Sequence, residues 1–402
     1  MIRILRNRRF AALFASQVSS LVATGLLTVA IALVAVDLDA AQASAVIATA
    51  LTIRIAVYVV VSPIATALLA GRSSRAVLIA ADAIRMLVAV ALVTVTTPWQ
   101  LFVGIALLQL ASAVFTPSYQ AVIPRVLPEE RDYTAAQSLS RLAYDLESLV
   151  SPPLAAVLVL VVPTTALFAV TGAGFVLSAV AVVAAGSLGL VGASGERFRR
   201  RLSVGVRTLA RTPGPRFAAV LDGATATVYA TVLVLTVVLV GDAAPGDPAT
   251  PLAAALVAFG LGSIALALSL GALLRRVSDA AVMRGGAMLA AATLAATAAM
   301  AASETLTLSA IVVVWLGLGV ASSAISTPSA RFIRREVPAD AHAAVFAARF
   351  STSHAWYALT YPVAGGVAAL ASPAAALVTL AVIAAACFLA ATFPMEVMGR
   401  RD

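Results

Sequence analysis

The 402-residue sequence has little of the chemistry that most enzymes and metal-binding proteins use. It contains one cysteine, Cys387, and two histidines, His342 and His354, and all 27 of its basic residues are arginine. A single cysteine excludes an internal disulfide and a cysteine-rich metal site. Without lysine the chain has no Walker A motif for ATP, and it has no HExxH metal motif. We therefore expect no cofactor, no metal and no enzyme activity.

Charge is also scarce. Charged residues make up 11% of the chain and hydrophobic residues 62%, whereas soluble domains carry about 25% charged residues. Because no soluble core needs so much apolar surface, we expect lipid to be the solvent. The basic N-terminus, MIRILRNRRF, precedes an apolar run long enough to span a bilayer, so we interpret this run as an uncleaved first helix.

Twelve stretches of the sequence are long and apolar enough to cross a bilayer, which requires about 20 mostly apolar residues. They predict an all-α membrane protein with 12 transmembrane helices. The stretches cover residues 11–36, 44–70, 76–96, 101–124, 135–161, 165–190, 217–240, 251–274, 280–301, 307–329, 342–370 and 374–394.

The arginines are distributed unevenly among the connections between these stretches. Arg54, Arg85, Arg141 and Arg349 lie inside stretches, and every other arginine lies in or beside a connection on one side. The positive-inside rule assigns that side to the cytoplasm, so both termini are predicted to be cytoplasmic. The net charge of +9 is then a consequence of membrane topology, and we expect no nucleic-acid partner.

Two polar segments, residues 116–156 and 327–366, repeat one layout. In each, a Thr-Pro-Ser is predicted to end a helix, a proline-containing turn follows, and a further proline lies inside the next helix at the same spacing. The repeat predicts two parallel six-helix bundles. We place the N-terminal bundle at residues 1–190, a cytoplasmic linker at 191–215 and the C-terminal bundle at 216–402.

The linker is rich in arginine. Leu202, Val206 and Leu209 would share one face of a helix there, which predicts an amphipathic helix at the cytoplasmic interface. A solvated basic linker accounts for the same residues.

Several segments resemble one transporter family along the whole chain. Residues 115–130, FTPSYQAVIPRVLPEE, are the most specific, and residues 78–89, LIAADAIRMLVA, are a second match. Two further matches support the same family. One is the start of the chain, with Arg9-Phe10, Gln17, Gly25 and Val29-Ala30, and the other is residues 151–156, SPPLAA. Together they resemble the major facilitator superfamily, and most of all its bacterial drug-efflux branch of macrolide and enterobactin exporters. The resemblance implies the major facilitator fold, and we include Gln17 among the cavity candidates.

The chain departs from that branch at two motifs. Ala70 stands where the loop between helices two and three usually has an aspartate. Ser151, Ala155 and Ala156 replace the glycines of the antiporter motif in helix five, whereas Gly365 and Gly366 keep them in the second half. These replacements bear on proton-linked gating and leave the expected fold unchanged.

The fifth stretch carries the richest set of intramembrane charges, each costing about 2.5–3.5 kcal/mol near the bilayer centre. Arg141 and Asp145 are one turn apart and share a face, whereas Glu147 lies on another face. They line a cavity or form an internal ion pair that only offsets the insertion cost. Pro152 and Pro153 disfavour a straight helix, and we assign them to gating.

Other charged residues suggest a gate and two further binding candidates. Asp82 and Arg85, with Arg72 and Arg75 nearby in sequence, are predicted to form an inner gate or latch. Arg54 must pair elsewhere or meet an anionic group. Asp222 either binds a cation or carries a proton, or it pairs with an arginine at the cytoplasmic end.

Aromatic residues are concentrated in the eleventh stretch. His354, Tyr357 and Tyr361 share a helical face, and with Trp356 and Tyr229 they are predicted to line a cavity for an amphipathic ligand. Packing inside the bundle would explain the same histidine. Gating is assigned to Pro362, Gly365 and Gly366 at the counterpart motif.

These residues predict a proton-coupled exporter of amphipathic drugs or secondary metabolites, a multidrug-type antiporter that works by alternating access. We place it as a monomer in the lipid bilayer of a bacterial inner membrane, with a small molecule and protons as its partners. Asp145, Glu147 and Asp222 are the proton-coupling candidates. Uptake of a small metabolite, or a non-transporting receptor or partner subunit on the same fold, are the alternatives.

Overall fold

The computed structural model describes residues 2–38, 43–158, 161–191, 198–243 and 249–396. Within these ranges the regular structure is helical, apart from one isolated antiparallel bridge between Ser73 and Leu190. A 3-10 turn, Ile2–Arg6, precedes the helices. The first seven helices are α1 (Arg8–Leu38), α2 (Ala43–Leu69), α3 (Ser74–Leu92), α4 (Pro98–Val126), α5 (Glu130–Leu158), α6 (Ala166–Ala184) and α7 (Phe198–Arg211).

The remaining helices begin with α8, which continues through a π-helical turn into a shorter helix. They are α8 (Pro213–Ala230), the π turn Thr231–Leu235, α9 (Thr236–Ala243), α10 (Ala249–Leu273), α11 (Asp279–Ala302), α12 (Leu308–Glu336), α13 (His342–Leu370) and α14 (Pro373–Glu396).

Nine of the helices in the described ranges are long and apolar enough to cross a membrane. The spans are Arg8–Ala35, Thr49–Leu69, Pro98–Val126, Ala166–Ala184, Pro213–Gly241, Pro251–Leu273, Asp279–Ala302, Leu308–Glu336 and Pro373–Thr392. Helices α3, α5 and α13 also coincide with predicted stretches, and each of them carries an arginine inside its stretch, at Arg85, Arg141 and Arg349. The chain is therefore an all-helical, multi-pass membrane protein, and a total of 12 spans stays a prediction.

Two predicted helix ends are wrong. The Thr-Pro-Ser segments do not end α4 or α12, since Pro117 and Pro328 lie inside these helices, which continue to Val126 and Glu336. In α12, Ser326 and Ser329 donate hydrogen bonds to the carbonyls of Ser322 and Ser326 at 2.8 and 2.6 Å. Hydroxyls that bond the backbone of their own helix help a membrane helix to tolerate proline.

The sixth stretch ends earlier than predicted. Helix α6 stops at Ala184, and Gly186 and Gly189 follow with φ of 79° and 74°. Backbone at positive φ suits glycine and breaks the helix. The chain then pairs with the loop before α3, where Gly71 donates to the Val191 carbonyl at 2.7 Å.

Residue-to-residue contacts divide the chain into two compact units. The first contains Met1–Ala136, Leu146–Thr208 and Val337–Ser351, and the second contains Gln137–Asp145, Leu209–Glu336 and Thr352–Asp402. The middle of α5 therefore belongs with helices of the second half of the sequence, and the first part of α13 belongs with helices of the first half. The predicted division into two bundles joined by a linker is based on the sequence repeat and stays a prediction, with boundaries at 1–190, 191–215 and 216–402.

Each unit has its own apolar core. In the first unit, α1, α3, α4 and α6 bury residues such as Leu27, Leu101 and Phe168. In the second unit, α8, α11, α12 and α14 enclose Trp315, which is fully buried and donates its indole N–H to Thr236 Oγ1 at 3.0 Å.

The arginine-rich linker contains the helix α7. Leu209 is buried, whereas Val206 is 53% exposed. Gly205 is buried, because it lies against the first turn of α13, where a Cβ would come within 2.3 Å of the Ala344 carbonyl oxygen. The role of α7 at the membrane interface stays a prediction.

Candidate functional site

The polar centre of the second unit is the Arg141–Asp145 pair on α5. The guanidinium holds the carboxylate through Nη2 to Oδ1 at 3.0 Å and Nε to Oδ2 at 3.2 Å. Both side chains are less than 10% exposed. Only the Nε contact has hydrogen-bond geometry, so the two side chains form an ion pair with one hydrogen bond. The spacing of one helical turn brings the two groups together.

The same guanidinium connects α5 to three helices of the second half of the sequence. Nε donates to Ser263 Oγ of α10 at 2.8 Å, and Nη1 donates to Tyr229 OH of α8 at 3.1 Å. A longer contact of 3.4 Å joins Nη1 to Ser326 Oγ of α12. One side chain therefore positions four helices around a single charged group.

An aromatic row extends from this centre. Tyr229 lies edge-on to Phe259 at 5.8 Å and to Tyr357 at 5.9 Å between ring centroids. Along α13, Tyr357 contacts His354 at 5.4 Å and stacks on Tyr361 at 5.5 Å. Tyr229 is the last residue but one of α8, just before the π turn, and π turns occur often at functional sites. Hydroxyls and ring faces next to a charged pair are typical of a site for an aromatic ligand.

Most residues of this site were predicted from the sequence. The structure brings together these predicted candidates: Arg141, Asp145, Tyr229, His354, Tyr357 and Tyr361. Ser263, Ser326 and Phe259 were missed, because small hydroxyls and single rings in apolar stretches are usually packing residues. Trp356 packs elsewhere, since its indole N–H donates to the Ala219 carbonyl at 3.1 Å.

The other two proton-coupling candidates are placed less centrally. Asp222 is buried on α8, 4% exposed, and lies two turns before Tyr229 on the same helix. Glu147 is half-buried on α5, beyond the Arg141–Asp145 pair. The side chains of Pro152 and Pro153 lie outside the described residues. Pro362 is inside α13 without ending it.

The first unit contains a second buried pair, Asp82 and Arg85 on α3. The carboxylate accepts from Arg85 Nη2 and from Ser178 Oγ, the latter at 2.8 Å, and Arg85 Nη1 donates to Ser20 Oγ at 2.9 Å. The guanidinium also lies between the rings of Phe115 and Phe175, at 4.2 and 4.5 Å. Partners from α1, α4 and α6 therefore surround the pair.

The gating role assigned to Asp82, Arg85, Arg72 and Arg75 stays a prediction. Asp82 is turned into the bundle toward Arg85 and Ser178, whereas Arg72 is exposed and Arg75 half-buried at the loop. Two cation–π contacts and a buried carboxylate favour burial of Arg85. Gln17 joins the same region, accepting a hydrogen bond from Tyr119 OH at 3.1 Å.

A charged cluster at the start of α11 in the second unit was missed by the sequence reasoning. Asp279, the first residue of α11, pairs with Arg331 at 2.9 Å and Arg335 at 2.5 Å on α12. Glu336 accepts from the backbone N–H of Gly214 at 2.9 Å, at the start of α8. Ser278 at the N-cap followed by an acid was the available signal.

The described residues include no group of three or more histidine, cysteine or acidic side chains arranged to hold a metal. The side chains around Arg141 offer hydroxyl groups, aromatic rings and one carboxylate.

Comparison with known proteins adds the family. Residues 13–241 match the family described as the Major Facilitator Superfamily. No curated protein matches the sequence.

Three solved structures share the fold. The human organic anion transporter MFSD10 (TETRAN) has 12% identity and a TM-score of 0.77, over 96% of this chain and 99% of that one. The E. coli fucose:proton symporter FucP has 16% identity and a TM-score of 0.73, over 96% of this chain and 98% of that one. FucP in its outward conformation has 15% identity and a TM-score of 0.74, over 96% and 98%. Since the family match covers more than half of the sequence, the chain belongs to the Major Facilitator Superfamily.

Proposed function

We propose that the chain is a secondary active exporter that moves amphipathic drugs or secondary metabolites out of a bacterial cell in exchange for protons. The observation that carries the proposal is the Arg141–Asp145 pair, with its hydroxyl partners and the adjacent aromatic row, inside membrane helices. Charged groups at that depth are expensive, and they usually mark a substrate or ion pathway.

The aromatic row supports an amphipathic substrate. The rings of Tyr229 and Tyr357 lie edge to face, with their centroids 5.9 Å apart. A flat apolar ligand packs against such rings, while a polar substituent reaches Arg141 or the hydroxyls of Ser263 and Tyr229. Sites with apolar walls and a few polar groups recognise drug-sized molecules in this way.

Asp145 supports proton coupling. A carboxylate that exchanges a proton can strengthen or release its hold on Arg141, and Arg141 contacts three further helices. Asp222 and Glu147 are the other candidate carriers. One charge moved through 100 mV supplies about 2.3 kcal/mol, so a single proton supports a substantial substrate gradient.

The proposal includes the topology predicted from the arginines. It comprises 12 spans in two six-helix bundles, cytoplasmic termini and alternating access by rocking of the bundles, in a monomer of the inner membrane. Pro152, Pro153, Pro362, Gly365 and Gly366 are assigned to the bending that this motion needs. Export, rather than import, rests on the resemblance to the drug-efflux branch.

Proton-linked uptake of a small metabolite is the second candidate. It is favoured by the structural likeness to the fucose:proton symporter, a protein whose name describes cotransport. It would use the same Arg141–Asp145 centre with the opposite relation between proton and substrate movement.

Everted membrane vesicles distinguish these functions. With a panel of fluorescent amphipathic dyes, an exporter accumulates dye in the vesicle lumen during respiration and loses it when a protonophore is added. We expect Arg141→Gln to abolish accumulation and Arg276→Gln, at an exposed arginine after α10, to leave it intact. Energised vesicles that exclude the dyes, together with energised whole cells that take them up, would refute export.

A further inference from the structure

Arg54 on α2 differs from the two arginines that form ion pairs within their own helices. Arg85 holds Asp82 and Arg141 holds Asp145. Arg54 lies inside the span Thr49–Leu69, yet none of the ion pairs among the described residues involves it. Its one described contact is with Tyr58, whose ring centroid lies 5.7 Å from the guanidinium carbon.

The side of α2 that carries Arg54 faces protein, not lipid. Tyr58, one turn later, is 5% exposed, and Ser62, a further turn along, is fully buried. Tyr58 packs on Phe350 of α13 at 4.9 Å. The lipid-facing side of α2 is marked instead by Val60 and Leu68, which are 57% and 62% exposed.

Burial along this protein-facing side decreases near Arg54. Leu51 lies two turns before Tyr58 on the same face, but it is 48% exposed whereas Tyr58 is 5% exposed. Toward its C-terminal end the face is covered by α13, where Ser351 Oγ donates to the Val59 carbonyl and Ser62 Oγ donates to the Ala347 carbonyl at 3.4 Å. Arg54, which is half-buried, lies between the packed part of the face and its exposed part.

Among the described ion pairs, none offsets the positive charge of Arg54. A cation–π contact contributes less than the insertion of an arginine into a membrane span costs. A carboxylate would balance the charge, as it does at Arg85 and Arg141, and the planar guanidinium is well suited to hold one through two hydrogen bonds.

We propose that Arg54, positioned by the buried Tyr58 ring, forms a subsite for the carboxylate of an aromatic substrate, with the guanidinium on the carboxylate. The inference rests on the proposed transport function and narrows its substrates to amphipathic aromatic carboxylates. The phosphate of an anionic phospholipid has related chemistry, and the experiment separates the two sources.

The test compares 1-naphthoate with its uncharged amide, 1-naphthamide. Binding to the purified full-length protein is measured by calorimetry for the wild type, Arg54→Gln and Arg54→Lys, with Arg275→Gln as a control at an exposed arginine. We expect Arg54→Gln to weaken naphthoate binding about 10- to 100-fold, the range of an ion-paired contact, and to leave naphthamide unchanged. Arg54→Lys, which keeps the charge without the planar fork, should give an intermediate loss for naphthoate.

Naphthoate binding that is absent from the wild type, or equal in the wild type and Arg54→Gln, would overturn the subsite. A second arm adds phosphatidylglycerol to delipidated protein. If Arg54→Gln lowers retention of this lipid and leaves naphthoate binding unchanged, the anion is a lipid and the substrate inference is wrong.

A transport arm separates the subsite from the carrier function. Proteoliposomes that move naphthamide or neutral dyes under a proton gradient, but not naphthoate, would leave the proposed function standing and refute the subsite. Proteoliposomes that move none of these compounds under any gradient would count against both.

Discussion

At the scale of single residues, two arginine–carboxylate pairs show how similar motifs acquire different surroundings. Arg85 lies between two phenyl rings and serves one packed bundle, whereas Arg141 reaches hydroxyls on three other helices. Both pairs could be predicted from helical spacing alone. Their partners could not, because Ser20 meets Arg85 and Ser263 meets Arg141 only after the helices have packed.

Arg85 is therefore predicted to act mainly on stability. Replacing it by methionine leaves Asp82 as an unpaired buried charge, and breaking a buried pair costs about 3–5 kcal/mol. We expect Arg85→Met to lower the thermal unfolding midpoint in detergent. The double variant Asp82→Leu with Arg85→Met, which removes both charges, should recover most of the loss. A single variant as stable as the wild type would show that the pair does not brace the bundle.

At the scale of helices, small residues decide which elements approach closely. Helices α10 and α12 meet at two glycines, since a Cβ on Gly262 would lie 2.0 Å from the Leu316 carbonyl oxygen and one on Gly319 would lie 1.9 Å from that of Phe259. Small residues allow membrane helices to pack backbone to backbone. Ser263 adjoins Gly262, so this close approach also sets the distance from Arg141 to its hydroxyl partner on α10.

Gly262→Val is expected to separate α10 from α12 and to weaken both stability and transport. Overpacking of a close contact costs about 1–3 kcal/mol. Gly271→Val is the matched control in the same helix, because nothing lies within 4 Å of a Cβ at that position. Thermal unfolding and dye transport measured side by side check the prediction, which fails if the two variants behave alike.

The ends of the helices were harder to predict than the presence of the helices. Apolar length located the helices, but the Thr-Pro-Ser segments were misread as helix ends, because membrane helices tolerate an internal proline. The contact of Gly205 in α7 with Ala344 was also not predicted, since a hydrophobic pattern does not show where a neighbouring backbone lies close.

At the scale of the whole molecule, the arginine asymmetry and the repeated polar segments point to two related bundles, and the family match and the solved structures establish the major facilitator fold. The sequence did not predict that a segment from each half of the chain would belong to the compact unit formed mainly by the other half. The middle of α5 belongs to the second compact unit and the start of α13 to the first, and these memberships depend on contacts between residues far apart in the chain.

The predicted topology has a direct test in a cysteine-free background made by Cys387→Ser. Arg131→Cys and Thr305→Cys place single thiols at exposed positions on connections that the arginines assign to opposite sides. A membrane-impermeant maleimide should label Thr305→Cys in intact cells and Arg131→Cys only after permeabilisation. Equal labelling of the two in intact cells would contradict the assignment.

The central claim is that the Arg141–Asp145 centre couples substrate movement to protons. The most direct measurement compares Asp145→Asn with the wild type in proteoliposomes, with Glu304→Gln as an exposed acid-to-amide control. The account predicts that Asp145→Asn loses accumulation driven by an imposed pH gradient but still exchanges labelled for unlabelled substrate, while Glu304→Gln retains both. Accumulation by Asp145→Asn at the wild-type rate under the same gradient would contradict it.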